Sequence, residues 1–168
     1  PNTTESVLYA ENGEQTLSLK LYSEDNKYVE FLYKLAPDSY MADFSILTHN
    51  MNDVIASNSS FLTLFWGADM PQLEKSKDFE NRYTGVYYDF LSDDVENMSM
   101  TSDEKETLTN KIKWVAFKQQ FFTSVLIAGE SFTDVSLSTQ ISNEPGYLKK
   151  VYAEIPLVYE GKANEAYN

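Results

Sequence analysis

Residues 113–128 constrain the fold more than any other stretch. They form the one long apolar-aromatic run that does not alternate cleanly. Lys118, Gln119 and Gln120 interrupt it, with residues 114–117 on one side and Phe121-Phe122 on the other. A single buried strand would carry that amine and both amides inward, and burying polar groups without partners is costly. The run therefore reads as a strand, a polar kink and a second strand. A short amphipathic helix is the alternative, and periodicity alone does not separate the two.

Strand signals dominate the rest of the chain. Leu17, Leu19 and Leu21 alternate with Ser18 and Lys20, and Glu24-Asp25-Asn26 reads as the following turn. Val29, Phe31, Tyr33 and Leu35 alternate with Tyr28, Glu30 and Lys34, before a turn at Pro37-Asp38. Tyr40, Ala42, Phe44, Ile46 and Thr48 form one face of a third strand, opposite Asp43, Ser45 and His49. Short turns make these three an antiparallel meander. Residues 50–60 read as a polar loop. Residues 61–67 read as an almost continuously apolar strand covered on both faces, ending at Met70-Pro71. The charged stretch 72–81 predicts a helical turn or a loop, and 83–90 a strand. Within the acidic stretch 92–110, Thr101 or Ser102 predicts a cap for a short helix over 103–108. A turn at Gly129-Glu130 leads to a strand over 135–141, and Asn143-Glu144-Pro145-Gly146 to a last long strand over 148–159. The expected class is all-β, an antiparallel β-sandwich with one or two short helices, in a single domain over 1–168.

Charge excludes some functions. Asp and Glu number 26 against 13 Lys and Arg, a formal net charge of -13, and Arg82 is the one arginine. Phosphate neutralisation by nucleic-acid binders needs clustered Lys and Arg. The overall charge also opposes adsorption on anionic lipid. With no cysteine, disulfides and thiolate metal sites are excluded. The longest apolar run, 121–128, is far below the ~20 residues of a membrane helix. The chain begins at Pro1 without methionine and ends in the polar stretch 161–168. We therefore expect a piece excised from a longer protein, with any membrane anchor and some upstream strands outside it.

Trp114-Val115-Ala116, then Gln119/Gln120, then Phe121-Phe122, resembles a signature of the large periplasmic domain of YidC-type membrane protein insertases. The order of the flanking segments agrees, from the strand pair in 28–50 through the strand at Trp66 to the Tyr-rich strand at 83–90. The similarity covers roughly 27–140 and is closest to cysteine-free, Bacteroides-like versions from Gram-negative bacteria. Lys113 replaces a frequent glycine, and Ala128-Gly129 a frequent proline. The resemblance implies a sandwich related to the galactose-mutarotase fold, on the periplasmic side of the inner membrane. It implies a non-catalytic module of a multi-pass insertase that scaffolds and contacts partners. Those partners would be Sec translocon accessory subunits and nascent membrane proteins. No cofactor is expected.

Chemistry finds few candidates. His49 is the one histidine, and a serine–histidine–acid triad would have to be built on it. Asp93-Asp94 and Asp103-Glu104-Glu106 lack the alternating ligands and central glycine of a calcium loop. Asn2-Thr3-Thr4, Asn58-Ser59-Ser60 and Asn97-Met98-Ser99 fit the glycosylation triplet, which a bacterial source would make chance matches. Trp66, Tyr83, Tyr87, Tyr88 and Trp114 are candidates for a groove taking a peptide or a sugar, and core pairs are the alternative. Adjacent strand residues face opposite ways, so Phe121-Phe122 predicts one ring in the core and one at a contact between elements. Trp114 is expected in the core, where truncation to alanine costs ~3–5 kcal/mol. A carbohydrate-binding or mutarotase-like module is the alternative function. A secreted interaction domain binding through sheet edges is a third.

Overall fold

A computed structural model describes residues 7–92 and 95–168. Asp93-Asp94 and Asn2-Thr3-Thr4 lie outside the described residues. Among those described, the chain forms twelve strands and one five-residue helix. The strands are β1 (Gln15–Glu24), β2 (Lys27–Leu35), β3 (Ala42–His49), β4 (Phe61–Pro71), β5 (Gly85–Phe90), β6 (Val95–Asn97), β7 (Glu104–Leu108), β8 (Ile112–Lys118), β9 (Thr123–Phe132), β10 (Val135–Ile141), β11 (Tyr147–Val158) and β12 (Asn164–Tyr167). The helix α1 (Lys77–Asn81) lies between β4 and β5. The fold is all-β and its sheets are antiparallel. Two compact units are present, Pro1–Leu62 with Val158–Asn168, and Thr63–Leu157.

The first unit holds a sheet of order β1-β2-β3-β12. Its first three strands are the expected meander, with Leu19 opposite Phe31 and Phe31 opposite Ile46. Asn26 and Asp38 take positive φ in the two turns, a conformation Asn and Asp tolerate best after glycine. The third strand begins at Ala42, leaving Tyr40 outside it and fully exposed. β12 arises from the stretch expected to be a polar terminus. Its residues pair with β3, and the Glu165 amide donates to Thr48 Oγ1 at 2.9 Å.

The second unit is a sandwich of two sheets, β4-β11-β10-β7 and β6-β5-β8-β9. Alternate residues of both sheets, among them Val86, Val115, Phe117, Leu137, Val151 and Ile155, interlock as one buried core. The interrupted run resolves into a hairpin. β8 ends at Lys118, the Gln119 amide donates to the Phe122 carbonyl at 2.7 Å, and β9 begins at Thr123. The helical alternative is thereby removed. Ile112 and Val115 lie three apart yet both are fully buried in the core. A register shift between Ile112 and Trp114 resets the phase and turns Lys113 outward.

Three expectations are corrected. β4 is covered on one face only: Leu64, Trp66, Ala68 and Met70 pack inward, whereas Phe61, Phe65 and Asp69 are exposed. It lies at the end of its sheet. Residues 104–108 form β7 rather than a helix, because they pair with β10 from Val135↔Leu108 to Thr139↔Glu104. Gly129-Glu130 lies inside β9, and the turn falls at Thr133-Asp134, where Asp134 takes positive φ.

Candidate functional site

His49 belongs to a polar cluster on the first unit's sheet. Its Nε2 lies 3.2 Å from Glu30 Oε2, and its ring stacks on Tyr28 at 4.3 Å between centroids. The other Glu30 oxygen accepts from the Ser18 hydroxyl, and Lys20 lies 4.0 Å away. The Ser18 hydrogen bond, aided by Lys20 and His49 and opposed by burial, holds the Glu30 carboxyl below its usual range. A triad relay needs the histidine between serine and acid. Here the acid stands between serine and histidine, so the serine's proton has no path to the imidazole. Ser45, on the same strand face as His49, donates instead to Asn168 Oδ1 at 2.7 Å. The cluster links side chains of β1, β2 and β3 across the sheet.

Among the described residues, no three His, Cys, Asp or Glu side chains gather as a metal ion requires. The candidate carboxylates are spent separately. Asp103 accepts from the Ile141 amide at 2.7 Å, Glu104 from the Ser99 amide, and Glu106 from the Tyr88 hydroxyl at 3.2 Å. Burial first, then the charge of Glu106, pushes the Tyr88 phenol up to about 12.

The seven aromatic candidates fall in three places. Trp66 and Tyr88 are interior: Trp66 stacks on Phe117 with centroids 3.9 Å apart, and Tyr88 belongs to the core. Tyr87 and Trp114 occupy the opposite face of the β6-β5-β8-β9 sheet, half-buried, aligned across strands with Val125 and Ile127. Trp114 is therefore not a core residue. The shifted register hands the core face to Ile112, Val115 and Phe117. Tyr83, Phe121 and Phe122 are all exposed at one end of the sandwich. The expected division of Phe121 and Phe122 between core and contact fails because both lie in the turn rather than in a strand.

That end is braced from within. Ser76 caps α1 by accepting from the Phe79 amide at 3.3 Å. The buried Glu80 carboxylate accepts from the Leu73 amide at 3.1 Å and the Glu74 amide at 2.9 Å. Lys149 is fully buried, and its ammonium donates to the carbonyls of Asn81 at 3.1 Å, Met100 at 2.8 Å and Thr84. Burial pulls the Lys149 amine down to about 8. Gln119 Nε2 donates to the Pro71 carbonyl at 2.9 Å, and Lys118 to that of Tyr83 at 3.3 Å. Sequence reasoning missed both buried charges. The signal for Lys149 was present, since it shares the inward parity of Val151, Ala153 and Ile155. Glu80, in a five-residue helix, offered none.

Fold and site together define an all-β, sandwich-type domain whose buried charges brace loops that carry exposed aromatic rings. The family model of the YidC periplasmic domain matches residues 2–167, through both units. The chain belongs to that family. It is 34% identical over 153 residues to the membrane protein insertase YidC of Parabacteroides distasonis, covering 90% of this chain and 24% of that protein. The Azobacteroides pseudotrichonymphae insertase is 33% identical over 148 residues, and the Bacteroides fragilis one 29% over 148, each covering 88% of this chain and 24% of the relative. The chain thus spans about a quarter of the length of these relatives. Among the described residues no helix is long and apolar enough to cross a membrane.

Proposed function

We propose that this chain is a non-catalytic domain on the periplasmic side of a multi-pass inner-membrane insertase, serving to scaffold it and to contact partners. The observation that carries this reading is the family match from residue 2 to 167, which runs through both units and supports their acting as one domain. Insertion itself belongs to membrane-embedded segments of the longer protein. Sec accessory subunits and nascent membrane proteins are the proposed partners. The outer face of the β6-β5-β8-β9 sheet is the proposed contact, with Tyr87 and Trp114 beside the exposed Val125 and Ile127. There β9 is the terminal strand of its sheet, and an edge strand offers backbone groups to another chain.

The test is co-purification of Sec accessory subunits with the full-length insertase. It compares the intact protein, a deletion of this domain, and a Trp114→Ala/Ile127→Asp double variant. Both changes are expected to deplete those subunits. Unchanged recovery after deletion would sink the partner-contact reading. Unchanged recovery in the double variant alone would move the contact elsewhere on the domain.

A further inference from the structure

We propose that the end of the second unit formed by α1 and the β8–β9 turn is a docking surface for an anionic lipid bilayer. Four rings stand in solvent there: Phe79 is 47% exposed, Tyr83 44%, Phe121 65% and Phe122 67%. Phe79 in α1 and Tyr83 just beyond its end have ring centroids 5.2 Å from each other. Exposed aromatic clusters of this kind mark interaction sites.

Charge identifies the occupant. Over the chain, carboxylates outnumber cations 26 to 13. Across residues 72–83 and 118–122 the ratio reverses. Lys75, Lys77, Arg82 and Lys118 stand against Glu74, Asp78 and the buried Glu80, four to three, with the half-buried Lys77 and Lys118 donating to the carbonyls of Ser142 and Tyr83. The one arginine of the sequence is in this group. Aromatic rings settle at headgroup level, and each cation near an anionic surface adds roughly 1 kcal/mol, or fivefold in affinity. A purely apolar peptide partner would have no use for the surrounding cations.

The net charge of -13 does not defeat this arrangement. At physiological ionic strength, charges more than about 8 Å from the lipid are screened, so the local patch decides. The acidic remainder then orients the domain by keeping its other surfaces off the bilayer. The braces at Glu80 and Lys149 hold the loop carrying Phe79 and Tyr83, so little ordering cost falls on docking. With four rings and no lipid chain, binding is weak and reversible. The proposal stands on this surface alone, whichever partner the outer sheet face takes.

The test is sedimentation of the 168-residue chain with vesicles of phosphatidylcholine, and of an equal mixture with phosphatidylglycerol, at low and high salt. Binding to the mixed vesicles that weakens with salt is expected. Lys75→Gln/Arg82→Gln should weaken it by on the order of 25-fold, and Phe121→Ser/Phe122→Ser should abolish it. All four side chains are exposed, so melting temperatures should stay unchanged in both variants. Failure to bind mixed vesicles at low salt would overturn the proposal. So would equal binding to phosphatidylcholine alone, or full binding by both variants. Capture of an apolar peptide without vesicle binding would also overturn it and reassign the patch to a protein ligand.

Discussion

Lys149 ties three backbone segments together through one ammonium group. A buried ammonium is tolerated only where its hydrogens are taken up, and here three carbonyls from separate chain positions accept them. Lys149→Met keeps the apolar stem but orphans all three. We expect a loss on the order of 3 kcal/mol in urea melts. Its pH dependence has a definite sign. The amine is held at about 8 in the folded protein, against an ordinary value of 10.5. Between those values the unfolded chain binds more protons, so stability rises with pH across that window. The rise should flatten in Lys149→Met, and an identical slope in both proteins would contradict the burial of a charged amine. Glu30 acts with the same sign in a more acidic window. Its carboxyl is depressed, so its contribution is present above the usual carboxylate range and is lost as pH falls through its folded value.

At the scale of elements, β8 is decisive. Val115 and Phe117 face the core, whereas Trp114 is half-buried on the other side of the sheet. Phe117→Ala should cost ~3–5 kcal/mol, and Trp114→Ala clearly less. Chemical denaturation of the two variants checks the order, and a reversal would place Trp114 in the core after all. The hairpin around Lys118 and Gln119 was legible because polar residues interrupted an apolar run at its middle. The meander in the first unit was legible because its alternation is uninterrupted. β7 was not legible. Thr101 and Ser102 look like helix caps, yet Asp103 accepts from the Ile141 amide and Leu108 reaches the core only through pairing with β10. A distant partner outweighed local propensity there, as it commonly does for strands. β12 escaped for the same reason, since Asn164–Tyr167 has almost no apolar pattern and exists through β3.

At the scale of the whole molecule, the excess of acid sets the solution behaviour. A net charge of -13 repels itself in the compact state. Added sodium chloride should therefore raise the melting temperature, steeply at first and then little once the screening length falls to about 3 Å at 1 M. Thermal melts across a salt series test this, and a flat response would mean that local pairs already neutralise the field. Period-two alternation and the interrupted run at 113–128 were enough to determine an all-β class and its main strands, because each is a local property, and the family was legible only through the resemblance of the Trp114-Val115-Ala116 to Phe121-Phe122 motif. Which face of the sheet Trp114 takes, that Phe121 and Phe122 stand in solvent, and that Lys149 is surrounded by carbonyls were decided only by the tertiary structure. Those outcomes depend on the one-residue shift between β5 and β8 at Asp89/Phe90 and on strands pairing across tens of residues, and a register shift of one residue moves every following side chain to the other face.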